Sequence, residues 1–453
     1  MNLPNYFLAD LPPEASLGTQ MLVEACQTLK RNRAQYLAIR PTENLIRTLT
    51  GVAEDWLAED YPFRKLALRD GPAATGFSLG TLTAGIDAFF KQVTPANLHL
   101  LLEQDLGEVR RLDEPTASAA EHRGRRAAIV TGPEMIVHIA AGHLPNPTWM
   151  SIILGVLVRS AQFVKCASGA SLLPRLFAHS LYERDPKLAA CLEIAEWRGG
   201  KTALENAIFA EADCITATGS DETLAAIRHR LPPKARFLGY GHRVSFGFVA
   251  NDGLTQLGLP HAVADAAKDV VAWDQLGCLS PHLFYVEKGG RITAEHFAEK
   301  LSEELERREQ ICPRGRIPVE TAAAIATRRG LYEVRAAHSP GTRHWYSQNS
   351  TAWTVIFEAD PLFQLSCLNR FVYVKEVTNL TEALQAADRV RGQVSTVGLL
   401  AGEGRKRELV MELARWGVAR VCPLGRMQNP PFSWRHDGRP ALADLVTWTD
   451  WEQ

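Results

Sequence analysis

The sequence predicts an α/β protein with two parallel-sheet regions, and three observations lead to this fold class. From about residue 127 onward, short apolar segments typical of buried strands alternate with helical patterns. A second series of strands and helices follows after residue 250. At about 100–200 residues per domain, the 453 residues are also long enough for two or three domains.

The first 120 residues are predicted to be mostly helical. Gly18 to Tyr36 carries apolar residues at helical spacing, and Pro41-Thr42-Glu43 opens a second helix. The segment 120–126 is charged and broken by a glycine. It therefore marks the join between this helical region and the alternating region that follows.

The first α/β block is predicted to contain a parallel sheet that is covered by helices on both faces. Its predicted strands are 127–130, 135–140, 162–166, 212–218 and 236–240, and its predicted helices are 146–160, 172–182 and 221–229.

The second block repeats the same alternation and leads to a cysteine, Cys278. Its predicted strands are 283–287, 353–357, 371–374 and 419–422, and its predicted helices are 262–271, 293–308, 319–327, 380–390 and 406–416.

Composition and charge exclude several classes of protein. Hydrophobic residues make up 46% and charged residues 22%, as in an ordinary folded domain, and a net charge of −1 gives no global attraction to nucleic acid or to an anionic membrane. No apolar run is long enough for a membrane span, and the first residues do not resemble a secretory signal. Eight scattered cysteines form no CxxC pair and no zinc-ligand spacing, so we expect no metal site and a cytoplasmic location.

Cys278 stands in a sequence context that suits an exposed nucleophile. Gly277 before it removes a side chain, which would let a substrate carbonyl approach, and Ser280-Pro281 favours a turn before the next strand. The alternative is a buried structural cysteine, which is the commoner fate of this residue type.

Two predicted strand ends carry groups that suit a dinucleotide. Thr218-Gly219-Ser220 lies between a strand and a helix, where backbone N–H groups can hold a phosphate, although Ser220 is also a good helix cap. Lys165 lies near the carboxyl end of strand 162–166, from which side chains reach into a ligand crevice, although a solvated lysine is the commoner case.

The loop 141–147 offers candidate donors to a developing oxyanion. His143 and Asn146 are the side chains that could donate. The alternative is a simple helix start, in which Asn146 is the cap and Pro147 the first helical residue.

These pieces, in this order, resemble the aldehyde dehydrogenase superfamily, and within it the LuxC-like acyl-CoA reductases. The resemblance extends from about Gly124 to the C-terminus and rests on three motifs: Asp274-Gln275-Leu276-Gly277-Cys278-Leu279-Ser280-Pro281, Leu365-Ser366-Cys367-Leu368-Asn369-Arg370-Phe371, and His436-Asp437-Gly438-Arg439 with Leu445-Val446-Thr447-Trp448.

The resemblance implies two α/β domains and a small β flap that joins subunits. The implied regions are residues 1–249 for the N-terminal helices and the dinucleotide-binding domain, 250–429 for the catalytic domain, and 121–137 with 430–453 for the oligomerisation flap and tail. We therefore expect a homo-oligomer, with a hairpin near residues 121–137 as one contact.

The resemblance also implies a reaction and a substrate. Cys278 would attack a fatty acyl thioester of CoA or of an acyl carrier protein, and hydride would then reduce the acyl-enzyme to an aldehyde. An alternative enzyme would oxidise an aldehyde to the free acid. A third hypothesis is a non-catalytic scaffold that binds an acyl-transferring partner protein.

The cofactor residues follow from the same resemblance. Lys165 would meet the adenosine ribose, and Thr218, Gly219 and Ser220 would lie at the pyrophosphate. Many NAD-dependent relatives have a glutamate where this chain has Ser168, and serine does not repel a 2′-phosphate. We therefore predict NADPH as the preferred cofactor.

Two departures from the family pattern bear on the chemistry. The oxyanion asparagine aligns with His143, so the donor is either His143 or Asn146, and the Cys278 N–H could share the role. Hydrolytic relatives carry a general-base glutamate in the segment that corresponds to 238–246, which here contains no carboxylate. This favours thioester chemistry over acid formation, and His242 could move protons there or be structural.

Overall fold

The structure is a computed structural model that describes residues 3–12, 14–142 and 144–452. The chain forms two compact units. Unit 1 comprises Met1–Thr75, Ile86–Gly241 and Pro431–Gln453, and unit 2 comprises Gly76–Gly85 and His242–Pro430.

Helices precede the first sheet and alternate with strands after it. The helices are α1 (Thr19–Tyr36), α2 (Thr42–Leu57), α3 (Pro62–Thr75), α4 (Leu79–Phe90), α5 (Pro95–Leu106), α6 (Ala119–Arg123), α7 (Asn146–Leu157), α8 (Leu172–Arg184), α9 (Pro186–Ala189), α10 (Thr202–Glu211), α11 (Asp221–His229), α12 (Asn251–Leu257), α13 (Leu259–Val271), α14 (Ala294–Ile311), α15 (Val319–His338), α16 (Leu380–Ala386) and α17 (Glu403–Trp416). Within the described ranges, no helix combines the length and the apolar character that crossing a membrane requires.

The strands follow the same alternation along the chain. They are β1 (Arg126–Thr131), β2 (Met135–Ile139), β3 (Ala161–Cys166), β4 (Leu192–Glu196), β5 (Cys214–Thr218), β6 (Arg236–Tyr240), β7 (Val244–Val249), β8 (Pro281–Glu287), β9 (Thr342–Tyr346), β10 (Thr354–Glu358), β11 (Phe371–Val377), β12 (Val394–Leu400), β13 (Arg420–Pro423) and β14 (Thr447–Glu452).

Unit 1 contains a five-stranded parallel sheet in the order β4-β3-β2-β5-β6. Parallel neighbours need crossover connections, and the helices after β2, β3, β4 and β5 supply them. Strand β4 and helix α10 were missing from the prediction. The segment of β4 carries a glutamate at each of two positions and pairs with only one neighbour, so its pattern lacks the apolar run of a central strand.

A hairpin near residues 121–137 was predicted and is wrong. Strand β1 pairs antiparallel with β14 of the C-terminal tail, from Arg126↔Glu452 to Thr131↔Thr447. Strand β2, which is apolar except for His138, lies in the five-stranded sheet instead, where both of its edges are paired and four of its five side chains are buried. The gain in burial explains why β2 pairs within this sheet and not with β1, which pairs with the distant β14.

Unit 2 contains a seven-stranded sheet in the order β13-β12-β7-β8-β11-β10-β9, parallel except for β9. Side chains alternate between two cores, so that Phe284 and Val286 face α13 and α14, while Leu283 and Tyr285 face α15, α16 and α17. Strands β7, β9 and β12 were not predicted. The α/β class itself is confirmed.

Candidate active site

Cys278 is exposed in a turn between α13 and β8. Ser245 Oγ donates to the Cys278 carbonyl oxygen at 2.8 Å, and Ser280 N donates to Gly277 O at 2.9 Å. These bonds fix the backbone on both sides of the sulfur. The alternative of a buried structural cysteine is therefore wrong for this position.

Gly277 also has a packing role within the turn. A Cβ at this position would lie only 2.8 Å from the side-chain oxygen Oε1 of Gln428. Gln428 also donates a hydrogen bond to Ser280 Oγ. The glycine therefore makes room for a side chain that braces the turn.

The chain reaches Cys278 through a strained left-handed turn. After α13, the three residues Trp273, Asp274 and Gln275 have φ values of 52°, 49° and 65°. A second run, Leu368, Asn369 and Arg370, has φ values of 57°, 55° and 66° and leads into β11. Left-handed backbone costs an L-residue about 1–2 kcal/mol, so the two turns persist only where other contacts hold them.

Most of the other cysteines differ from Cys278 in being buried. Burial raises the pKa of the thiols of Cys26, Cys166, Cys191 and Cys214 to about 12 and that of Cys422 to about 11. These thiols are therefore protonated, and poor nucleophiles, at neutral pH. In the described part of the chain the cysteines form no disulfide.

Two histidines lie at the amino ends of β7 and β8. His242 is exposed two residues before β7, in the segment 238–246 that contains no carboxylate. Burial, with a smaller contribution from His242, lowers the pKa of His282 to about 4. His282 Nδ1 accepts from Ser366 N at 3.1 Å, so the ring is a neutral acceptor that holds the segment before the second left-handed turn.

Lys165 lies in the first sheet, near the carboxyl end of β3, and is only 4% exposed. It is therefore not the solvated lysine considered as the alternative. Its ammonium sits 5.8 Å from the Trp197 ring centroid, and within the described residues it has no ion pair or hydrogen bond. Burial lowers its pKa, opposed mainly by the charge of Glu205. A buried cation without a partner suits an anionic or hydroxyl-bearing ligand.

The loop after Lys165 is held by a carboxylate that the sequence reasoning missed. Ser168 is exposed, and Gly169 follows it with a φ of 77°. Glu196 Oε1 accepts from Gly169 N at 2.7 Å, and Oε2 accepts from Ser171 N at 3.3 Å. Glu196 ends β4 and pairs with Cys166 of β3, so this strand register brings it to the loop.

The segment 218–220 has the geometry of a helix start. Ser220 Oγ accepts from Thr223 N at 3.3 Å, which confirms the capping role considered for this serine. Gly219 N donates to Tyr240 O at 3.2 Å, and Thr218 ends β5. Because the first turn of α11 is acidic, it is less favourable to a phosphate than an uncharged helix start would be.

Of the two candidate oxyanion donors, His143 lies outside the described residues. Asn146 is the first residue of α7, whose cap is Pro145, so the alternative that Asn146 caps this helix is wrong. Its Oδ1 is buried and has no hydrogen-bond partner among the described residues. A small pocket at the carboxyl ends of β2 and β3 is lined by residues on both sides of Asn146 in the chain, but not by Asn146 itself; they include Gly142, Leu144, Pro145, Thr148, Ala167 and Gly169.

Solved structures with the same fold are aldehyde dehydrogenases. A putative aldehyde dehydrogenase from Anabaena variabilis matches with a TM-score of 0.70 at 16% identity, over 96% of this chain and 93% of that one. The NADP-dependent glyceraldehyde-3-phosphate dehydrogenase from Bacillus halodurans C-125, complexed with NADP, matches with a TM-score of 0.72 at 12% identity, over 96% and 92%. The fold is therefore aldehyde dehydrogenase-like, as predicted.

Sequence comparison reaches a narrower group. The long-chain acyl-protein thioester reductase of Photorhabdus laumondii is 23% identical over 418 residues, which cover 90% of this chain and 82% of that protein. The enzyme of the same name from Aliivibrio fischeri is 23% identical over 420 residues, with the same coverage. The family model described as acyl-CoA reductase (LuxC) matches residues 37–448. Because this match spans nearly the whole sequence, the chain belongs to the LuxC acyl-CoA reductase family.

Proposed function

We propose that this enzyme reduces a fatty acyl thioester, carried by CoA or by an acyl carrier protein, to the aldehyde with NADPH and through an acyl group on Cys278. The observation that carries the proposal is the exposure of Cys278 on a braced turn in a member of an acyl-CoA reductase family. The similar proteins named as long-chain acyl-protein thioester reductases support an acyl thioester as substrate.

The proposed reaction has two steps, acylation of Cys278 and reduction of the acyl group. The Cys278 thiolate attacks the thioester carbonyl carbon, the carbon–sulfur bond of the substrate breaks, and CoA or the carrier leaves as a thiolate that takes up a proton from water. When bound, a nicotinamide cofactor would supply the hydride that reduces the acyl-cysteine and would itself become oxidised. The aldehyde then leaves, and the Cys278 thiolate is restored.

The proposed oxyanion donor is Asn146 or His143. Asn146 would donate through its Nδ2, because its Oδ1, which is buried and has no partner among the described residues, can only accept a hydrogen bond. The Cys278 backbone N–H could share the task. A negative oxygen that forms during attack would be stabilised most by donors that are already oriented.

The proposed cofactor site comprises Lys165, Ser168, Thr218, Gly219 and Ser220. The strongest support is Lys165, which is 4% exposed and whose ammonium has no carboxylate within ion-pair distance among the described residues, so it would gain an anionic partner from a ribose phosphate. Ser168 carries no charge that would repel a 2′-phosphate. These two residues are the basis for proposing NADPH as the preferred cofactor.

Oxidation of an aldehyde to the free acid is the alternative activity. It requires a base that activates water, and the segment 238–246 offers His242 but no carboxylate. Steady acid formation from aldehyde and NADP without CoA would support the alternative instead.

Covalent acylation tests the proposal. Radiolabelled long-chain acyl-CoA is expected to label the wild-type enzyme near one equivalent, whereas Cys278→Ala should lose both the label and aldehyde formation. Cys422→Ala is the matched control, because that thiol lies in the same unit and is buried. Full labelling of Cys278→Ala would overturn the assignment of the nucleophile.

Self-association stays a prediction of the family resemblance. Every residue of β14 is exposed in the single chain, including Trp448 and Trp451. An exposed strand edge of this kind is suited to pair with another chain. Sedimentation of the wild-type chain and of a chain truncated before β14 would test this assignment.

A further inference from the structure

The two left-handed turns precede neighbouring strands. The turn of residues 273–275 leads through Cys278 into β8, and the turn of residues 368–370 leads into β11. Strands β8 and β11 are parallel neighbours in the seven-stranded sheet, so both turns lie at the same edge. Elsewhere in the described residues, left-handed non-glycine residues occur singly.

A buried ion pair connects the two turns. Arg370 Nε donates to Asp274 Oδ1 at 2.9 Å, and Arg370 Nη2 lies 2.7 Å from the same oxygen. Asp274 is 3% exposed and Arg370 is 1% exposed. The pair therefore joins Asp274, the middle residue of the first turn, to Arg370, the last residue of the second turn. Because both side chains are buried, solvent does not screen the attraction between their charges.

Each partner of this pair is also anchored elsewhere in unit 2. Asp274 Oδ2 accepts from Gly315 N at 3.0 Å. Arg370 Nη1 donates to Glu309 Oε2 at 2.7 Å and to Cys312 O at 3.0 Å, both at the end of α14. The ion pair thus ties the two turns to Gly315 and to the end of α14.

Gln275 adds a second link between the same turns. Its Nε2 donates to Pro281 O at 2.7 Å and to Phe371 O at 2.9 Å, which are the first residues of β8 and β11. The residue is fully buried. The strained backbone before Cys278 is therefore held by contacts to the second turn, as strained functional backbone generally is.

We infer that Asp274 and Arg370 are positioning residues that set the location of the Cys278 sulfur. They act through the turn backbone and are not catalytic residues. The inference rests on the proposed function, since Cys278 is taken as the nucleophile. A shift of the attacking atom by about 1 Å can cost on the order of a hundredfold in rate, so removal of the pair should lower kcat more than it changes KM.

The test uses Asp274→Asn and Arg370→Lys, which preserve shape or charge. The control is Glu358→Gln, which breaks the buried pair between Glu358 and Lys375 in the same sheet without touching either turn. Arg370→Lys keeps a cation between Asp274 and Glu309, so it carries the test if Asp274→Asn does not fold.

Two measurements are made on each variant, at a temperature below the midpoint of its thermal unfolding. Hydrogen exchange of the backbone amides of residues 276–280 should become about tenfold faster or more, while exchange in β8 stays as in the wild type. The kcat for acyl thioester reduction should fall about tenfold or more, with KM changed less than about threefold. Glu358→Gln should leave both measurements at the wild-type values.

The inference would be overturned if amide exchange and kcat were unchanged in Asp274→Asn and Arg370→Lys. It would also be overturned if Glu358→Gln lost as much amide protection and kcat as these two variants. The exchange measurement does not depend on the reaction. If Cys278→Ala kept full activity, the proposed function would fail, while local loosening of residues 276–280 would still report on the ion pair.

Discussion

Two buried cations, one in each unit, differ in whether carboxylates contact them. Arg370 in unit 2 contacts the carboxylates of Asp274 and Glu309 and a backbone carbonyl. Lys165 in unit 1 contacts the ring of Trp197 and, within the described ranges, no carboxylate or carbonyl. Both side chains are almost completely buried.

The difference separates a structural charge from a charge that suits a ligand. A buried charge is expensive unless it is paired, so the paired Arg370 can hold two strained turns together. An unpaired Lys165 lowers stability until an anion arrives, which is the behaviour expected of a binding residue. The position in the sheet agrees, since Lys165 lies at strand carboxyl ends, where ligands of parallel sheets usually bind.

The largest expected effect is on stability and comes from Arg370→Met. This change leaves Asp274 as a buried carboxylate without its ion-pair partner and removes one contact of the partly exposed Glu309, so the free energy of unfolding should fall by about 3–5 kcal/mol. Denaturant unfolding measures it. A loss no larger than that of a surface substitution would show that the two turns do not depend on the pair.

Lys165→Met should weaken NADPH binding without destabilising the protein. Loss of a charge-assisted contact to a phosphate is expected to cost about 10- to 100-fold in NADPH affinity. The free energy of unfolding should stay the same or rise, because an unpaired buried charge is removed. Acylation of Cys278 by acyl-CoA in the absence of cofactor is the internal control. Unchanged NADPH affinity would contradict the comparison between the two cations.

Acid should loosen unit 2 through His282. Its pKa is lowered to about 4 in the folded protein, below the ordinary value of 6.5, so the unfolded chain binds the proton first as the pH falls. The stability that depends on the neutral ring is therefore complete above pH 6.5 and is lost toward pH 4, by about 1.5 kcal/mol between pH 6.5 and 5. Unfolding measured at several pH values should show this slope, and His282→Asn should reduce it, while His138 and His344, whose pKa values burial also lowers to about 4, keep their share.

The smallest expected effect concerns cofactor preference. Ser168→Glu adds a carboxylate to the exposed loop after Lys165, which repels a 2′-phosphate, so the ratio of kcat/KM for NADPH over NADH should fall about tenfold. Ser168→Gln, which has the same shape without the charge, is the matched control. The prediction fails if the two variants behave alike, or if the wild type already prefers NADH.

Much of the fold could be read from the sequence because local patterns report burial directly. Helix α11 and strand β6 begin and end where the apolar and capping patterns place them. Strand β4 was missed because an edge strand with two glutamates lacks the signal of a central strand. The predicted hairpin failed for a related reason, since the sequence does not show that β1 pairs with a strand more than 300 residues away.

The sequence by itself determined the alternation of strands and helices, the motif around Cys278 and the lysine at a strand end, because each depends on neighbouring residues. Only the tertiary structure decided that Asp274 meets Arg370, 96 positions later, and that Glu196 reaches the loop after Lys165. Those contacts follow from strand order and register, which are set by the packing of whole sheets. A short segment contains no information about which distant segment will lie beside it.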